Sequence, residues 1–132
     1  MESDREFWFS HEKLEVYQEC IAFIAWLSTL LECAGRVGDV KDQIDRASTS
    51  IPLNIAEGNG KYGEKDRSRF FDIAHGSALE CAACLDVLVA KSKLTLDQTR
   101  TGKEQLQRIV RMLIGLIKRN STRDYERGSE AK

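Results

Sequence analysis

Asp39-Val40-Lys41-Asp42-Gln43-Ile44-Asp45-Arg46-Ala47-Ser48-Thr49-Ser50-Ile51-Pro52-Leu53-Asn54-Ile55-Ala56-Glu57 is the stretch that decides the fold. Ile44, Ala47, Ile51 and Ile55 recur at steps of three and four, the period of one helical face. Gln43, Arg46, Ser50, Asn54 and Glu57 recur at the same steps beside them. Pro52 lies inside the run. A proline has no amide N–H and crowds the preceding turn, so a kink or a break into two helices is expected there. The polar row reads either as a wet face or as a network paired with a neighbour.

Working outward, the segment from about Ser10 to Glu32 repeats the pattern with Leu14, Tyr17, Ile21, Ile24 and Leu27 or Ser28. Ser10 suits an N-cap, its hydroxyl accepting from a free amide of the first turn. Phe23 and Trp26 lie off that stripe and predict a second buried face. Gly35 and Gly38 mark the first connection, and the glycine-rich run 58–63 marks the second. A third helix is expected from about Glu64 to Lys91, with Phe70, Ile73, Ala74, Ser77, Cys81, Cys84, Leu85 and Leu88 on one stripe. Gly76, Ser77, Ala78, Ala82 and Ala83 are small enough for another helix to approach closely. Thr95-Leu96-Asp97-Gln98 has capping-box spacing and opens a fourth helix. Leu106, Ile109, Val110, Leu113 and Ile117 form its core face. Residues 120–132 are polar and read as a disordered tail. Residues 1–9 read as an N-terminal extension and 10–119 as one all-α domain. Short connections between long helices imply an antiparallel, up-down-up-down four-helix bundle.

With 132 residues the chain suits one domain. One proline and nine glycines argue against a turn-rich β-sandwich. Twenty basic and 21 acidic side chains give a charge of −1, which disfavours an ordinary basic nucleic-acid binder. The average hides an asymmetry. Residues 1–60 carry 5 basic and 11 acidic groups, whereas residues 100–132 carry 9 basic and 4 acidic ones. Such a dipolar chain can pair head to tail with copies of itself, offer its basic end to an anion, or simply carry solvated faces. The start is acidic, unlike a secretion signal, and the apolar stretch 21–31 is too short to span a bilayer. A cytoplasmic location without membrane attachment is therefore expected, with reduced cysteines.

Several motifs invite chemistry. Gly58-x-Gly60-x-x-Gly63 matches the dinucleotide fingerprint in letters, but that fingerprint needs a preceding strand and a parallel sheet. The free amides opening the third helix, near Lys61 and Lys65, could meet an anion. Cys81-x-x-Cys84 lies deep in a helix among alanines, where small buried hydrophobes explain it better than a metal or redox site. No metal site is expected. Glu57 and Glu80 could face each other as paired carboxylates, yet no cleft or substrate is legible and no catalytic residue is assigned. Arg100, Lys103, Arg108, Arg111 and Lys118 fall largely along one side of the fourth helix. Such a stripe can follow a phosphate backbone, or it can balance the acidic first helix.

The stretch 42–58 resembles the signature of the four-helix bundle proteins called 23S rRNA intervening-sequence proteins. Its core is Arg46-Ala47-Ser48-x-Ser50-Ile51-x-x-Asn54-Ile55-Ala56-Glu57-Gly58. The resemblance begins at Leu14-Glu15-Val16-Tyr17, continues through Arg69-Phe70-Phe71-Asp72-Ile73-Ala74-His75-Gly76-Ser77-Ala78-Leu79-Glu80, and ends with Met112-Leu113-Ile114-Gly115-Leu116-Ile117. It implies a ring-forming homopentamer with no enzymatic role and no cofactor. Some relatives are encoded within insertions in ribosomal RNA genes. A related branch is the accessory protein of diversity-generating retroelements, which binds the reverse transcriptase and nucleic acid. The expected function is thus an oligomeric scaffold or adaptor with a protein partner, or else a nucleic-acid-binding accessory protein, a partner of structured RNA or DNA or of a retroelement reverse transcriptase. The family's polar signature falls on Arg46, Ser50, Asn54, Glu57, Ser77 and Glu80. On this reading they form a largely buried network within or between protomers, and Glu57→Ala should strongly weaken fold or assembly.

Overall fold

A computed structural model describes residues 6–35 and 37–130, with side chains described to Asn120. A 3-10 turn at Ser10–Lys13 precedes four helices: α1 (Glu15–Ala34), α2 (Asp39–Gly60), α3 (Glu64–Ala90) and α4 (Leu96–Glu130). There is no strand among the described residues. α2 packs on α1 and α3, and α4 packs on α3 and α1, an arrangement consistent with a four-helix bundle. Phe23, Ile44, Ile51, Ile55, Phe71, Leu85, Leu88, Ile109 and Leu113 are fully buried at its centre.

Expectations at the helix ends and at Pro52 change. Ser10 does not cap α1. It sits in the 3-10 turn, and its Oγ accepts from Asn59 Nδ2 at 3.2 Å, tying the turn to the end of α2. α2 does not break at Pro52 but runs on as one helix. The missing amide removes one bond of the ladder, and the buried ring of Pro52 packs into the core instead. α2 also absorbs the first half of the expected glycine loop, so only residues 61–63 connect it to α3. Arg67 Nη1 donates to the carbonyls of Asn59 (2.8 Å) and Lys61 (3.3 Å). A cation there satisfies otherwise orphaned carbonyls at a helix C-terminus and complements its dipole. The Thr95 capping box forms as read: Gln98 N donates to Thr95 Oγ1 at 3.1 Å, and Thr95 N donates to Gln98 Oε1 at 2.8 Å. Beyond Asn120 the backbone stays helical to Glu130, where the polar composition leads one to expect a disordered tail.

The buried face of α1 is Val16, Cys20, Phe23, Leu27 and Leu31, not the stripe through Ile21 and Ile24. α1 is apolar nearly all round, so periodicity alone does not single out its inner side. α4 helps to select it. Gly102 is buried, and a methyl group there would overlap the outer ring of Trp26. Trp26 in turn stacks on Phe23 with centroids 5.8 Å apart. Gly102→Ala should therefore push the indole outward and cost about 1–3 kcal/mol, as overpacking does. A red-shifted tryptophan emission together with a lower melting temperature checks this, and an unmoved spectrum would contradict it.

The most extensive helix packing is between α2 and α3. Gly58 is buried there, and a Cβ on it would lie 2.9 Å from Phe71 Cε1. The first glycine of the apparent dinucleotide fingerprint thus serves helix packing. Ala47, Ala74 and Ala78 are also buried along these helices.

Candidate interaction surface

Half of the polar signature forms a link between α2 and α3. Asn54 Nδ2 donates to Ser50 O (2.8 Å) and to Ser50 Oγ (2.9 Å), and Ser77 Oγ donates to Ser50 Oγ at 2.9 Å. All three residues are half-buried. The helical spacing of Ser50 and Asn54 puts both side chains on the α3 side of α2, and Ser77 meets them from α3.

The other half points outward. Arg46 is exposed, with Nε 3.4 Å from Asp42 O. Glu57 is exposed and lies 3.5 Å from Lys61 Nζ. Glu80 is exposed and has no ion pair among the described residues. A largely buried six-residue network is therefore not what a single protomer contains. Position along the helix gives the direction of a side chain, but not whether another surface covers it. Glu57→Ala accordingly removes only an exposed i,i+4 pair from the protomer, worth a few tenths of a kcal/mol. Glu57 and Glu80 do not form an enclosed carboxylate pair.

Apolar groups continue this surface. Ile73, Leu79 and Val87 on the outer side of α3 are 45%, 50% and 41% exposed. Exposed Gly76 and Ala83 lie between them. At 1.5 Å rise per residue the stripe is about 21 Å long. On α2, exposed Leu53 stands in a shallow groove of about 460 Å³ with Arg46, Ser50 and Asn54. The sequence reading had placed Ile73 in the core stripe of α3. Phe71 and Ala78 take the inner positions instead.

The basic residues of α4 are mostly engaged. Arg108 donates to Glu19 Oε1 from Nε (3.1 Å) and Nη2 (2.8 Å), which ties α4 to acidic α1. Lys103 pairs with Asp86 of α3, and Arg100 lies 3.8 Å from Asp97. Arg111 and Lys118 are exposed without an ion pair among the described residues.

Cys20, Cys81 and Cys84 are buried in the core, while Cys33 is exposed. Burial pushes the Cys20, Cys81 and Cys84 thiols up, the Cys81 thiol to about 12, because an ionised sulfur would be desolvated. No group of three or more metal-ligating side chains gathers among the described residues. The folded chain holds these thiol protons more tightly than the unfolded chain. That stabilisation is fully present below the ordinary thiol value of 9.0 and is lost as the pH rises above it. At neutral pH, Cys33 should react with a thiol reagent at once and the other three only on unfolding. The melting temperature should fall as pH climbs above 9.0. Four equally fast thiols would contradict the burial.

α1 and α3 are each long and apolar enough to cross a membrane by length and composition, yet both supply core residues here. The fold and this surface define an all-helical protein, among its described residues, with exposed apolar and polar groups on α2 and α3. The family described as 23S rRNA-intervening sequence protein matches residues 12–115, and the chain belongs to that family. The fold is similar to the crystal structure of a protein of unknown function from the S23 ribosomal protein family of Bacteroides thetaiotaomicron. The TM-score is 0.71 at 24% identity, over 78% of this chain and 98% of that one. No curated protein matches the sequence. Neither the family nor the structural neighbour points to an enzymatic activity.

Proposed function

We propose that the protein is a non-enzymatic, cytoplasmic scaffold that works as a homo-oligomer. In this reading the bundle is antiparallel, up-down-up-down, and its copies assemble into a ring-shaped homopentamer. Connections of three to five residues between neighbouring helices support the antiparallel order. The observation that carries the reading is the set of exposed apolar residues Ile73, Leu79 and Val87 on α3, together with exposed Leu53 on α2. Exposed apolar residues gathered on one side of a fold mark a candidate interaction site. Arg46 and Glu57 on α2 and Glu80 on α3 are exposed on the same two helices and can supply the polar rim that interfaces have. In a ring they pair between copies, which gives the outward half of the signature a role.

Arg111 and Lys118 favour a second reading, in which the ring gathers several such cations and binds structured RNA or DNA with avidity. Native mass spectrometry of the protein taken from its expressing cells, before any salt wash, tests both. Five copies of the 15.0 kDa chain are expected. A monomer mass would overturn the scaffold reading. A pentamer carrying nuclease-sensitive excess mass would put the nucleic-acid reading first.

A further inference from the structure

Phe7, Trp8 and Phe9 precede the 3-10 turn, and Trp8 and Phe9 are 80% and 65% exposed. Single exposed apolar residues are commonplace, but three aromatics in a row are not. They are also held in place. The Glu12 carboxylate accepts from Trp8 N at 3.3 Å and Phe9 N at 3.0 Å. Phe9 stacks on His11, and His11 meets the edge of Tyr17 at 4.7 Å between centroids. The Ser10–Asn59 bond fixes the turn to the end of α2. The aromatic arm is thus preorganised toward solvent, so little ordering cost remains when a partner covers it.

An apolar groove of about 390 Å³ opens between the start of α1 and the last described turns of α4. Leu14, Val16, Met112 and Leu116 form its walls, and Gly115 leaves its floor open, with nothing within 4 Å of where a Cβ would stand. Its size suits a few aromatic rings, and methionine adapts readily to such guests. Glu15 and Arg119 stand on its rim. The arm brings the opposite signs, with Glu6 just before Phe7 and Lys13 at the end of its turn.

We propose that the arm of one copy docks in the α1–α4 groove of a second copy, Phe7–Phe9 filling it while Glu6 meets Arg119 and Lys13 meets Glu15. This rests on the homo-oligomeric reading above and names one of its contacts. Arm and groove are different patches, so in a ring each copy gives its arm to one neighbour and receives an arm from the other, a heterologous contact. Contacts of that kind join copies head to tail and close into rings when the rotation allows.

The test coexpresses two full-length chains, one tagged and carrying p-benzoylphenylalanine in place of Trp8, the other untagged and wild type. After irradiation of the purified assembly, cross-links from position 8 of the tagged chain to residues 112–119 of the untagged chain are expected. An assembly whose cross-links fall elsewhere, or only within one chain, overturns the docking and leaves the oligomer standing. Cross-links to co-purified nucleic acid in place of protein also overturn it. A monomer mass overturns both readings. As a second arm, Gly115→Leu puts a branched side chain at the groove, starting from a Cβ that meets nothing within 4 Å. It should abolish the cross-link and weaken assembly at least about tenfold with the helical content unchanged. Wild-type assembly by Gly115→Leu would overturn the proposal.

Discussion

Phe71→Ala is expected to remove about 3–5 kcal/mol of stability, the usual cost of emptying a fully buried aromatic site. Phe71 is 0% exposed and is wedged between α2 and α3, its ring edge set against Gly58. The Arg67 guanidinium lies over the other side of that ring, 5.8 Å from the centroid, while its Nη1 closes the end of α2. Removing the ring therefore leaves a cavity and loosens the residue that caps the neighbouring helix. A single domain has only about 5–15 kcal/mol to lose. Urea unfolding monitored by circular dichroism should show the midpoint falling sharply with the slope unchanged. A loss below about 1 kcal/mol would mean that the helices close over the gap, and that this contact does not set their spacing.

Leu79→Glu should have its large effect on a different quantity. Leu79 is half-exposed in the middle of the α3 stripe. Glutamate is a good helix former, so the protomer should keep its melting behaviour to within about 0.5 kcal/mol. In an assembly that covers the stripe, the same change buries an unpaired carboxylate beside Glu80. An uncompensated buried charge costs about 3–5 kcal/mol per interface, enough to dissolve a ring at micromolar concentration. Light scattering should then read the mass of one chain. Retention of the wild-type mass would place the interface elsewhere on the molecule.

Both predictions turn on distinctions that the sequence carries unevenly. The four helices, the Thr95 cap and the polar row of α2 are legible because each is a local pattern. The inner face of α1 is not legible, since a helix apolar on all sides gives no preferred direction until Gly102 admits Trp26. Of the kink or break that Pro52 predicts, the break does not occur, because propensity weighs the lost amide and not the burial of the ring. Arg46 and Glu57 are legible as part of one row on α2, and Glu80 enters only through the family resemblance, but whether water or another protomer lies over them depends on tertiary and quaternary contacts. By composition the aromatic arm reads only as an extension. The signal available there was Glu12, three residues after Phe9, at the spacing of a carboxylate that reaches back to a free amide.

The three-residue connection between α2 and α3 has a further consequence, for the order of folding. Closing so short a loop costs little chain entropy, and the two helices it joins share the densest packing in the molecule. They form a helical hairpin that can assemble early, with α4 adding along α3. α1 packs less extensively on its neighbours than α3 does, so it joins last and opens first. Its amides belong to the low-protection end of the native-state exchange spectrum, and its transient release uncovers Cys20 and Phe23 while the α2–α3 hairpin stays intact.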